Sequence, residues 1–183
     1  MAAVKATRNL FLGLLCVALL SPTLRAATAT EEQLKAVFLF NFSHFVAWPA
    51  ETFSSPTEPF VIGVLGSEAL ASQLDAAVQG EQVGMRPLQV RRFASIEELG
   101  DCRILFIGQS QAQRLDSILQ RIADRGTLTV SDLDESSRRG VMIQFAKENN
   151  RIRLLVNVES ARMAGLTISS NLLRPASIVR TGE

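Results

Sequence analysis

The chain has 183 residues, 47% of them hydrophobic, and 19 basic side chains against 18 acidic ones, for a formal charge of +1. That balance provides no basic footprint for nucleic acid or anionic lipid. One histidine and two cysteines cannot supply a structural zinc site of Cys and His ligands, and the length is that of a single domain.

The first residues read as a secretory signal peptide. Lys5 and Arg8 precede the apolar run Leu10–Leu20, Pro22 breaks it, and small residues follow in "LRAATA". The run is shorter than the roughly 20 apolar residues of a membrane-spanning helix. Cys16 follows Leu15 rather than a small residue, which argues against lipid attachment. Cleavage after Ala26 or Ala29 fits. With the first, residues 1–26 are the signal peptide and 27–183 a single domain, periplasmic and soluble, without membrane insertion. That cut removes Lys5, Arg8 and Arg25 and no acids, so the formal charge falls from +1 to −2. Cys102 is then the remaining thiol, and no intramolecular disulfide can form.

Glu31 to Trp48 is predicted to be a helix, with Thr30 as N-cap, two acids in the first turn, and Pro49 as its end. It carries two apolar stripes. Leu34, Val37, Phe38, Phe45 and Trp48 follow one, with Asn41 inside it, and Leu39, Phe42 and Val46 follow the other. One stripe suffices to pack a surface helix. The pattern therefore leaves two readings: complete burial at home, or Phe38 and its stripe in the core with Leu39, Phe42 and Val46 against another chain.

A Ser/Pro-rich connection leads to "FVIGVLG", a buried strand. A helix capped by Ser67 and stopped by Gly80 follows, then "RPLQVRRF" as a strand nearer an edge and "ASIEELGDC" as a short helix or turn. "RILFIG" is a second buried strand, "SQAQRLDSILQRIADRG" an amphipathic helix and "TLTVSD" a third strand. "GVMIQFAKENNRIRLLVNV" forms a hairpin about Glu148, Asn149 and Asn150, and short helical pieces close the chain. This order predicts a three-layer α/β domain with a mostly parallel central sheet and an antiparallel C-terminal hairpin. Ligands of such sheets favour the crevice beyond the carboxyl ends of the strands. Gly66, Ser67, Gly108, Ser110, Ser131 and Asp132 are the candidate ligand-binding residues on that rim.

Catalytic and metal chemistry find little support. His44 has no acid three or four residues away. Ser43, adjacent on a helix, projects about 100° from it, which predicts no useful pairing. No G-x-S-x-G elbow, dinucleotide fingerprint or phosphate-binding P-loop occurs. "DLDESSRRG" lacks the glycine and distal glutamate of a calcium loop. His44 is read as structural, with no catalytic residue, cofactor or metal assigned.

The stretch "LKAVFLFNFSHFVAWP", followed in order by "IGVLG", "CRILFIG", "GTLTVSD" and "GVMIQFAKENNRIRLLVNVESARMAGLTISSNLLRPA", resembles the YfiR-like family of periplasmic proteins. The resemblance implies an α/β fold, a homodimer and no catalysis. It also implies repression of a membrane-bound diguanylate cyclase through its periplasmic sensor domain, with lower cyclic-di-GMP and less biofilm. An outer-membrane peptidoglycan-binding lipoprotein would relieve the repression. Two departures stand out. Cys102 has no partner for the disulfide found in some members, and Phe40 replaces a frequent tyrosine. The alternative function is a periplasmic receptor module for a small ligand, an anion, nucleotide or amino acid, without a cyclase partner.

Overall fold

The computed structural model describes residues 29–182; the expected signal peptide and Cys16 lie outside them. The elements are α1 (Glu31–Phe45), β1 (Val46–Ala47), β2 (Phe60–Leu65), α2 (Glu68–Val78), β3 (Gln82–Val83), β4 (Arg86–Phe93), β5 (Ile104–Ile107), α3 (Leu115–Ile122), β6 (Leu128–Ser131), β7 (Ile143–Glu148), β8 (Arg151–Val156), α4 (Val158–Met163), β9 (Thr167–Ile168), α5 (Ser170–Leu173) and β10 (Ser177–Ile178). Eight strands form one sheet in the order β10-β8-β7-β6-β5-β2-β4-β3. β4, β2, β5, β6 and β7 run parallel, and β8 returns antiparallel on β7. The expected α/β architecture, mostly parallel sheet and C-terminal hairpin are all present. The hairpin turns at Asn149 and Asn150, with φ of 49° and 60°; asparagine tolerates this left-handed region, and paired positive φ values suit the twist of a hairpin.

The chain leaves β2 through α2 to β4 on one side, then builds β5, β6 and β7 on the other, so the strand order reverses between β2 and β5. Two apolar cores result. One lies under α1 and α2 and includes Ile62, Val64, Phe106, Val130 and Phe145. The other lies under α3 and includes Leu65, Leu105, Ile107, Ile118 and Val141.

α1 begins as expected. The Thr30 hydroxyl accepts from the Gln33 N–H, and the Gln33 side chain accepts from the Thr30 N–H, a capping box. It ends at Phe45 rather than Trp48, because Val46 and Ala47 leave the helix to pair with Ile168 and Thr167. Trp48 then turns inward, donating from Nε1 to the Gly126 carbonyl at 3.0 Å and lying edge-on to Phe60. Beyond it, Phe53 lies under the Arg86 guanidinium at 3.7 Å and the Arg103 guanidinium at 4.9 Å, which fastens the Ser/Pro-rich connection to the sheet.

The orientation of α1 corrects the interface expectation. Leu39, Phe42 and Val46 are buried in the chain's own core, with the Phe42 ring stacked 6.0 Å from Phe145. With Lys35 they recur at i, i+4, i+7 and i+11, and small Ala36 and Ser43 beside them let the helix approach the sheet. The outward side carries Leu34, 39% exposed, and Val37, 48% exposed, from the stripe expected to face the core. Phe38 of that stripe is half-buried against Phe145.

The segment after β5 also differs from a single helix. Gln109–Arg114 is a 3-10 turn, and the α-helix proper starts at Leu115. Gly108 has no side chain to cap a first α-turn, so the chain tightens there instead.

This packing predicts that Phe42→Ala lowers stability by roughly 3–5 kcal/mol. Val37→Ser should stay within about 0.5 kcal/mol of the parent. Urea denaturation followed by circular dichroism measures both.

Candidate functional site

The six rim residues do come to one end of the sheet, where hydrogen bonds join three loops. The Ser110 hydroxyl donates to the Gly66 carbonyl at 3.2 Å, the Gln109 amide to the Asp132 carbonyl at 2.7 Å, and the buried Ser131 hydroxyl to the Ile107 carbonyl at 2.7 Å. Ser131 also accepts from the Leu133 N–H, so its hydroxyl serves the fold. The crevice at the strand-order reversal is narrow: a β-carbon built at Gly108 would lie 2.6 Å from the Gly66 carbonyl oxygen. Gly66 itself has φ +88°, and its missing side chain leaves room for Ser110. Outside this closed seam, Ser67 and Ser110 border a shallow depression with Arg92, whose guanidinium is already paired with Glu68 at 2.8 Å and Asp75 at 2.6 Å. Ser67 caps α2 by accepting from the Leu70 N–H.

Asp132 is held by a residue that sequence reasoning passed over. Lys35, only 3% exposed, reaches from α1 to the end of β6 and donates to Asp132 Oδ2 at 2.7 Å. Its ammonium also lies 3.0 Å from Glu31 and 3.3 Å from Glu32. Burial pulls the Lys35 pKa down, but hydrogen bonds to Asp132 and Glu31 outweigh it and leave the group above its ordinary value. Hydrogen bonds from Lys147 and then Lys35 hold the Glu31 carboxyl below its own. Asp132 Oδ1 and Glu32 Oε2 are buried without a hydrogen-bond partner among the described residues. The only sequence signal for this cluster is a lysine in register with Leu39, Phe42 and Val46.

Ser43 and His44, expected to form no useful pair, do lie in contact. Ser43 Oγ lies 3.0 Å from His44 Nδ1, since rotamers can bring neighbouring side chains together above the helix surface. The Ser43 proton, however, goes to the Phe40 carbonyl at 2.6 Å, so the imidazole meets the hydroxyl as donor. A general base must instead take that proton. His44 is exposed, edge-on to Phe40 at 5.0 Å, in the last turn of α1. Cys102 is a buried free thiol, and burial pushes its pKa up to about 12, far from the thiolate range that supports reactivity. Among the described residues no group of three or more His, Cys, Asp or Glu is placed to hold a metal ion.

The molecule is thus a doubly wound α/β domain with a closed switch-point seam and a helix locked to the sheet by a buried ammonium. A family model described as YfiR/HmsC-like matches residues 32–177, and the chain belongs to that family. No curated protein matches. Among solved structures, a conserved domain protein from Vibrio cholerae O1 biovar El Tor is similar, with a TM-score of 0.55 and 11% identity. The match covers 81% of this chain and 60% of that one, and it shows a shared fold.

Replacing the buried cation should be costly. Lys35→Met should lower stability by roughly 3–5 kcal/mol at neutral pH, because carboxylates are left partly buried without a counter-charge. Lys35 is raised, so its contribution is complete below its ordinary 10.5 and disappears only as the pH climbs past it. Glu31 is lowered, so its contribution is complete above 4.5 and disappears as the pH falls. The gap between parent and variant should therefore narrow below about pH 4 in urea titrations at fixed pH values. Cys102 should resist a thiol reagent in the native protein and label at once in urea.

Proposed function

We propose that this chain is a periplasmic regulator that represses a membrane-bound diguanylate cyclase by binding its periplasmic sensor domain. Membership of the YfiR/HmsC-like family over residues 32–177 is the observation that carries the reading. No helix among the described residues is long and apolar enough to cross a membrane, which fits a partner that supplies the membrane anchor itself.

The mechanism is occupancy. A bound regulator shifts the sensor domain toward an inactive arrangement only by as much as its affinities for the two arrangements differ. A peptidoglycan-binding outer-membrane lipoprotein that competes for the regulator would restore cyclase output without any chemical step. Since Leu39, Phe42 and Val46 are committed to the core, a contact through α1, whether with the sensor domain or in a homodimer, would use the side bearing Leu34 and Val37.

Deleting the gene should raise cyclic-di-GMP and biofilm, and the intact gene supplied in trans should reverse both. Unchanged cyclic-di-GMP across several growth conditions would reject the reading. Val37→Glu leaves the core alone, so a loss of repression with unchanged folding would place the contact on the outward side of α1.

A further inference from the structure

We propose that the recess between α3, the start of β6 and α4 binds a small, largely apolar molecule whose inner end is neutral and carries a carbonyl-type oxygen. The site is separate from the rim and holds whether or not the chain regulates a cyclase. Its volume is about 390 Å³, within the range of about 300–1,000 Å³ usual for small-molecule sites.

The recess exists because β6 is followed by turns rather than a helix. Residues 132–142 lead directly into β7, leaving the α3 side of the sheet thinly covered there. The apolar wall comes from Ile122, Met142 and Met163. Met163 is 69% exposed, and its flexible thioether can adapt over an occupant.

The polar groups decide the ligand class. Thr129, 2% exposed, accepts from the Met142 N–H at 3.0 Å, but its own proton has no acceptor among the described residues. Ser160, 7% exposed, also lines the recess, and its hydroxyl has no hydrogen-bond partner among them. The hydroxyl of neighbouring Thr127, by contrast, is already committed to the Cys102 carbonyl. Two hydroxyls that face one recess, one of them on buried Thr129 with its proton unspent, suit an acceptor that enters it. The charged lining residues, Asp124 and Arg139, are exposed at the mouth, and Arg139 is already paired with Asp116 at 2.9 Å; deeper in, an ion would lose its hydration without compensation, so the inner end of the ligand is neutral.

The test uses 4-phenylbutan-2-one, an uncharged ketone with an apolar body, against the full exported protein, with butylbenzene as its carbonyl-free counterpart. Titration calorimetry and saturation-transfer NMR should show saturable binding of the ketone, tighter than that of butylbenzene. Ser160→Ala removes an unpartnered hydroxyl and should fold normally. It should weaken ketone binding roughly threefold to tenfold, the worth of one net hydrogen bond, and leave butylbenzene unchanged. Ala123→Trp at the outer edge, or Met163→Trp should the first fail to fold, should abolish both. No saturable ketone binding at millimolar concentration would overturn the proposal. So would ketone binding that neither a folded edge variant nor Ser160→Ala weakens, or a ketone preference that survives Ser160→Ala and so belongs elsewhere.

Discussion

Phe42 stacks on Phe145 at 6.0 Å, and the seating of α1 on the sheet turns on that contact. Once Phe42 points down, helical geometry carries Lys35, Leu39 and Val46 down with it. Lys35 then reaches the end of β6, Val46 reaches the strand that pairs with β9, and Trp48 swings beneath to Phe60 and Gly126. The same rotation turns Leu34 and Val37 toward solvent. One aromatic contact thus fixes which side of α1 faces outward.

Lys35 is an expensive way to hold that helix. A buried ammonium loses several kcal/mol of hydration, and apolar residues of similar volume in place of the whole cluster, Lys35 together with its carboxylates, could often serve stability as well. The cation does something a leucine could not: it makes the helix's position along the sheet specific. A shift by one turn would leave Lys35 without Asp132, and a buried unpaired charge costs far more than an imperfect apolar contact. The bridge also engages Asp132 Oδ2 on the rim. With Ser131 bonded inward and Gly108 pressed against Gly66, the edge where a doubly wound sheet ordinarily takes its ligand is largely consumed by its own hydrogen bonds.

The strand and helix order was legible because buried parallel strands are short, apolar and bounded by glycine or serine, as Phe60–Gly66 and Arg103–Gly108 are. Ser67 and Thr30 announced their helices through cap chemistry that acts within four residues. The facing of α1 was not legible, because bulky apolar residues surround it and the sole charge on the buried stripe, Lys35, is of a type ordinarily found in solvent. Its burial depends on Asp132, 97 residues away, a pairing no local pattern encodes. The two-residue pairings of β1 with β9 and β10 with β8 escaped for the same reason. The rim residues were found by strand ends alone, but whether a hydroxyl there is free depends on which carbonyl it meets. The recess residues carried the weakest signal, since Thr127 and Thr129 in "TLTVSD" read simply as strand formers.

Those alternating hydroxyls mark where this domain departs from a fully covered doubly wound sheet. On β2 and β5 the side facing α3 is apolar, with Leu65, Leu105 and Ile107 in its core. On β6 and the residue before it the same side presents Thr127, Thr129 and Ser131, and no helix follows to cover it. Threonine keeps the β-branched shape a strand prefers while supplying hydrogen bonds to Cys102 and Met142, so the strand stays ordered without a lid. The sheet therefore closes at its switch point and opens at the start of β6. A change of occupancy there would press on α3 and α4 rather than on α1, leaving the Lys35 bridge and the outward face of the opening helix undisturbed.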